Sequence, residues 1–152
     1  MSDPVSELIV KEVKSRLSAY TTTHRSTRVA TWQPKDLTIH VFQGEIVRND
    51  ELSLPGNPPA QAWDMNVIVA GIVKPSDTST TPVDTYKNQF WSEIVKAANT
   101  GDNWHTWGDN AINSIISDVE EYTGEDGSVA GVQVSILITF RTDENNPFNG
   151  RA

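Results

Sequence analysis

No cysteine occurs anywhere in this chain, which excludes disulfide staples, thiolate zinc sites and cysteine nucleophiles. No apolar run approaches the roughly 20 residues that a membrane-spanning helix requires. The opening stretch MSDPVSELIV carries Asp3 and Glu7, with Lys11 and Glu12 just beyond, so it lacks the unbroken apolar segment of a secretory leader. These absences predict a soluble protein made in a cytoplasm. Histidine is scarce: His24, His40 and His105 stand too far apart in sequence for any pair to have metal-ligand spacing. A glycine-rich phosphate loop, a G-x-S-x-G elbow and an H-E-x-x-H helix are all missing. The segment EYTGEDGS, ending at Ser128, lacks the alternating acids of a calcium loop. Paired carboxylates leave no local motif, and nothing else speaks for acid–base catalysis. The sequence therefore predicts a non-enzymatic protein with no metal and no cofactor.

What is present fits one domain. The 152 residues can bury a core without staples, and the reading places that core at about residues 5–142, followed by an extended polar tail over 143–152. A hydrophobic share of 37% lies a little below the globular norm and leaves room for long polar loops. The net charge of −8 is unevenly spread. Up to Asp36 the bases Lys11, Lys14, Arg16, Arg25, Arg28 and Lys35 outnumber the acids Asp3, Glu7, Glu12 and Asp36, so the remainder carries all the excess acid. Between Lys96 and Arg141 stand Asp102, Asp109, Asp118, Glu120, Glu121, Glu125 and Asp126 with no base among them. Such a surface repels a phosphate backbone, which argues against tight nucleic-acid binding.

Periodicity supplies the elements. Val5, Leu8, Ile9, Val13, Leu17 and Tyr20 recur at helical spacing, with Asp3 as the expected cap, Pro4 at the first helical position and the Thr21–Thr23 run as a stop. Leu37 to Phe42 alternates as a strand, with His40 expected at its rim. Gly44 allows a bulge, Glu45 to Val47 can extend the pairing, and LSLPGNPPA (52–60) reads as a loop unable to join a ladder. In the strand Trp63 to Val73, Trp63, Met65, Val67, Val69 and Val73 share a face while Ile68, Ala70 and Ile72 make the far end apolar on both sides, which suits a central strand covered on both faces. A second helix is expected from Thr81 and Pro82 to about Ala98, with Val83, Tyr86, Phe90, Ile94, Ala97 and Ala98 as its stripe. Ala111 to Tyr122 fits helix or strand equally, whereas Val132, Val134, Ile136, Ile138 and Phe140 form a clear inward-facing strand.

Tryptophan is abundant, with five in the chain. Trp63 and Trp91 fall in regular elements and read as core. Trp104 and Trp107 sit in the loop DNWHTWGDN, where an aromatic either plugs the end of a core or anchors a partner.

Several stretches in this order carry a likeness: TTTHRSTRV (21–29), SLPGNPPAQAWDMNVIVAGIV (53–73), WHTWGDNAI (104–112) and ITFRTDENNPF (138–148). Together they resemble the tail terminator, or neck, proteins of long-tailed bacteriophages, over about residues 5–148. The resemblance implies an α+β fold, a mixed and mainly antiparallel sheet of about four strands with two helices packed on it. It also tips the ambiguous segment toward a strand over about 111–119. It implies a homohexameric ring in the virion that caps the tail tube, joins it to neck and head-connector proteins, and lets DNA pass through its lumen without sequence-specific binding. Assembly would take place in the host cytoplasm. The interface candidates on this reading are Arg25, Arg28, Trp104, Trp107, Pro147 and Phe148. Competing expectations are another neck, head-completion or sheath-associated connector, and a small ligand-binding module with a carboxylate site.

Overall fold

The computed structural model describes residues 3–21, 23–25, 37–73, 82–99, 106–123 and 130–151. In chain order the elements are helix α1 (Val5–Ser18), strands β1 (Thr23–Arg25), β2 (Leu37–Leu54) and β3 (Ala60–Val73), helix α2 (Val83–Ala98), and strands β4 (Asn113–Thr123), β5 (Ala130–Asp143) and β6 (Asn146–Gly150). The fold is α+β. Among the described residues the strands form one six-stranded mixed sheet, not one of about four strands. Its order is β1-β2-β3-β5-β4, with β6 also paired to β5; β1 runs parallel to β2 and the other pairs are antiparallel. The two extra strands come from segments too short or too polar to show a period of two.

Pro4 is the N-cap of α1, not its first helical residue, because its extended ψ of 156° leaves it outside the helix. Its carbonyl accepts from the amides of Glu7 and Leu8 at 3.0 and 3.1 Å. Asp3 does not cap; its carboxylate takes the Lys11 ammonium at 2.5 Å. The buried arc is Val5, Ile9, Val10, Val13 and Leu17, whereas Leu8 is 37% exposed. The arc turns toward Val10 because α1 is wedged among α2, β1, β2, β5 and β6, a contact set that no helical wheel contains.

Expected as a loop from Leu52, the β2–β3 connection is a hairpin turn confined to residues 55–59, with pairing reaching Leu54 opposite Ala60. Side chains bridge the irregular stretch where the ladder shifts between Asn49 and Leu54. Ser53 Oγ donates to the Asn49 carbonyl and accepts from the Ala62 amide, while Arg141 Nε donates to the Leu52 carbonyl. At Gly44 the strand shifts register as expected; a Cβ there would stand 2.9 Å from the Asn66 carbonyl oxygen, so only glycine lets the backbones approach.

Both helices lie on one face of the sheet. Ile39, Val41, Met65, Val67, Val69, Val132, Val134, Ile136 and Ile138 point into that layer and meet Ile9, Val13, Leu17, Phe90 and Ile94. Gly71 makes this packing possible, since a Cβ at that position would lie 2.6 Å from the Phe90 ring. On the far face of β3 Ala60, Ala62, Ala70 and Ile72 are buried, while Asp64, Asn66 and Ile68 between them stay half-exposed. Coverage on both faces, expected from the apolar far end of the strand, is found there at Ala70 and Ile72.

The C-terminal segment is not a free tail. Glu144 and Asn145 turn the chain back, and β6 pairs with β5 close to Val5 of α1. Arg151 Nη1 reaches Asp143 Oδ1 at 2.6 Å, and Asn149 also donates to that carboxylate. These donors hold the Asp143 carboxyl below the usual carboxylate range. Polar side chains, not apolar periodicity, secure this turn, which is why the pattern of the sequence did not reveal it.

Candidate assembly surface

Arg25 sits in β1 opposite Val41, on the helix-bearing side of the sheet. Its guanidinium makes a two-point contact with Glu7 of α1, at 2.9 and 3.5 Å. About a third of each side chain remains exposed, so the pair clasps β1 to α1 within one subunit. Arg28 and Trp104 lie outside the described residues.

Trp107 is not at the surface. It is 1% exposed, and the turn carrying it puts Trp107, Gly108 and Asp109 at φ of 51, 74 and 65°, a left-handed run that folds the ring inward. The Arg16 guanidinium stands over the ring at 4.5 Å and also bonds Glu12 and the Ala97 carbonyl, so the indole plugs the end of the core beneath α1 and α2. It is withdrawn from the interface candidates. Trp91 goes the other way: expected in the core, it is 43% exposed on α2. The signal was available, because Phe90 holds the buried stripe and the next residue is turned about 100° from it.

Pro147 and Phe148 are exposed on β6. Pro147 borders a small, almost wholly apolar notch of about 180 Å³ with Ser6, Ile46, Trp63 and Phe140. The notch adjoins the outer half of β2, whose Ile46, Val47, Leu52 and Leu54 are 39 to 49% exposed. Sequence reasoning missed the outer end of β2 because Pro55, Pro58 and Pro59 disguised it as loop.

On the sheet face opposite the helices, register places Phe42 beside Ile68 and Ile115 beside Leu137, with Val47, Asp64, Asp118 and Glu120 around them. A cleft of about 400 Å³ opens there between Glu45, Val47, Asp64, Asn66, Ser117 and Leu137. Asp64 is already tied down, accepting from Thr139 Oγ1 at 2.7 Å and from Asn49 Nδ2 at 3.0 Å. Asp118, Glu120 and Glu121 stand exposed along β4, which also bulges between Ile116 and Asp118. Charge and bulge together discourage indiscriminate strand pairing at an edge. On the helices Lys11, Lys14, Arg16, Lys87 and Lys96 stand against Glu7, Glu12, Asp84 and Glu93, a near balance, so the helix layer does not share the acidic excess.

His40, expected at a rim, is 6% exposed and stacks on His24 with ring centroids 5.4 Å apart. Burial, and then the neighbouring His24, lowers its pKa from the ordinary histidine value. No helix among the described residues is long and apolar enough to cross a membrane. No protein-family model matches the chain, and no curated protein matches it either.

Proposed function

We propose that this chain is a structural virion protein, a tail terminator that assembles as a hexameric ring, caps the tail tube and joins it to neck and head-connector proteins. The observation that carries the reading is the one-sided build: both helices cover a single face, leaving an acid-rich sheet face and, on the outer half of β2, the exposed Ile46, Val47, Leu52 and Leu54. Exposed apolar side chains close together on one outer strand mark an interaction site. In a head-to-tail ring this stretch of β2 meets a neighbouring subunit or the tube, and the acidic face turns to the lumen, where carboxylates keep passing DNA from sticking. The resemblance noted in the sequence supports the same reading, and no catalytic role is assigned to any residue.

The test combines native mass spectrometry of the purified protein with imaging of intact particles. Six-fold density at the end of the tail tube is expected, and another symmetry there sinks the ring. Leu52→Asp with Leu54→Asp changes two exposed side chains, so folding should be kept while tailed particles are lost. Normal particle yields from that variant would remove this stretch of β2 from the interface.

A further inference from the structure

Strand β4 ends the sheet on one side. Among the described residues it makes its ladder with β5 alone, and no backbone group of residues 114–121 bonds outside that ladder. Ser117, Asp118, Val119, Glu120 and Glu121 are exposed in succession, so this stretch is open to solvent on both faces of the sheet. An edge of this kind presents a row of unpaired amides and carbonyls to a further strand. Register fixes what lies beside that row. Asp118 and Glu120 stand opposite Ser135 and Gln133, on the face away from the helices, while Val119 and Glu121 stand opposite Val134 and Val132 on the helix side.

We propose that the outer edge of β4 is a docking site for an extended, positively charged segment of a partner protein, which joins the sheet as a further strand. The charge pattern selects this occupant. A second copy paired edge to edge about Val119 would set Asp118 opposite Glu120 twice, and like charges directly opposite each other destabilise a strand pair. Nucleic acid is repelled by the same carboxylates. A basic strand is matched instead. Asp118 and Glu120 share a face two residues apart, the period at which an added strand repeats its own side chains, so bases at alternate positions meet both acids. No base of this chain's own edge competes, because the sequence has none between Lys96 and Arg141.

Strand addition supplies affinity through main-chain bonds, and the acids supply selectivity by rejecting acidic segments and further copies of this edge. The bulge between Ile116 and Asp118 interrupts the regular edge, so the docked strand runs from Asp118 onward. This inference stands apart from the ring reading, because it concerns the chemistry that one strand edge accepts.

The experiment is an NMR titration of the full chain with three synthetic peptides: alternating Lys and Val, alternating Glu and Val, and the Lys–Val peptide with a central proline, which cannot complete a ladder. The Lys–Val peptide should shift the amides of 117–121 and, at about ten times its dissociation constant, slow their hydrogen exchange about tenfold. Binding should weaken between about 0.1 M and about 1 M salt, as the screening length falls from about 10 Å to about 3 Å. The Glu–Val and proline peptides should give no protection. Asp118→Lys with Glu120→Lys changes two exposed side chains, so the amides of β3 and β5 should keep their positions while the preference turns to the Glu–Val peptide. No protection by the Lys–Val peptide would mean that the acids only shield the edge, and would overturn the docking site. Equal protection by the Glu–Val or the proline peptide, shifts centred on other exposed acids such as Asp50 and Glu51, or an unreversed preference in the folded double variant would each overturn it as well.

Discussion

Adding one methyl group at Gly71 tests how tightly the helix layer meets the sheet. An alanine Cβ at this position would stand 2.6 Å from Phe90 Cδ1 and 2.7 Å from Cγ, well inside van der Waals contact. Phe90 has no exposed surface, and its ring also meets Tyr20 edge-on at 6.3 Å between centroids. Restoring ordinary contact requires about 1 Å of movement, which a close-packed interior resists. Two effects of opposite sign compete. In a strand, alanine is favoured over glycine by about 0.5–1 kcal/mol through chain entropy. Overpacking costs about 1–3 kcal/mol. The clash wins, so Gly71→Ala should destabilise the fold by about 1–2 kcal/mol. Urea denaturation should show a lower midpoint with an unchanged slope. Phe90→Leu by itself should also be costly, but the double variant should be more stable than the sum of the two losses predicts, because the smaller side chain gives the methyl its room. A loss under about 0.5 kcal/mol for Gly71→Ala, or strict additivity in the double variant, would refute the claim that this glycine exists to seat Phe90.

Two further expectations follow from α1 and β1. Ile9→Ala should cost about 2–5 kcal/mol in chemical denaturation because Ile9 is fully buried, whereas Leu8→Ala should change stability by less than about 0.5 kcal/mol; equal losses would mean that the observed arc is wrong. Arg25→Glu faces Glu7 with a like charge, but both side chains are about a third exposed, so the loss should stay below about 1 kcal/mol and be relieved by the swap Arg25→Glu with Glu7→Arg. A melting curve that the swap does not restore would show that Arg25 matters through packing and not through charge.

Much of the scaffold was legible without coordinates. Val132 to Phe140 alternates strictly because one face of β5 is buried along its whole length, and α2 shows Phe90, Ile94, Ala97 and Ala98 at helical spacing because one side of it meets the sheet. Ala111 to Tyr122 stayed open between helix and strand because β4 is an edge strand: Ile115 is 56% exposed and a bulge at Ile116 breaks its alternation. The resemblance, not the periodicity, pointed there to a strand.

Local sequence determined which segments became α1, α2, β3 and β5, because burial on one side of a regular element leaves a period that can be read from neighbours a few residues apart. It determined as well that the excess acid would fall outside the basic first helix. Tertiary structure alone decided that Val10 and not Leu8 completes the buried arc, that Trp107 is enclosed while Trp91 is exposed, and that 143–151 folds back onto the sheet. It also brought His24 beside His40, Arg25 beside Glu7 and Gly71 beneath Phe90. Each of these pairs joins residues more than a dozen positions apart, and their contact depends on strand register and helix placement, which no local pattern encodes.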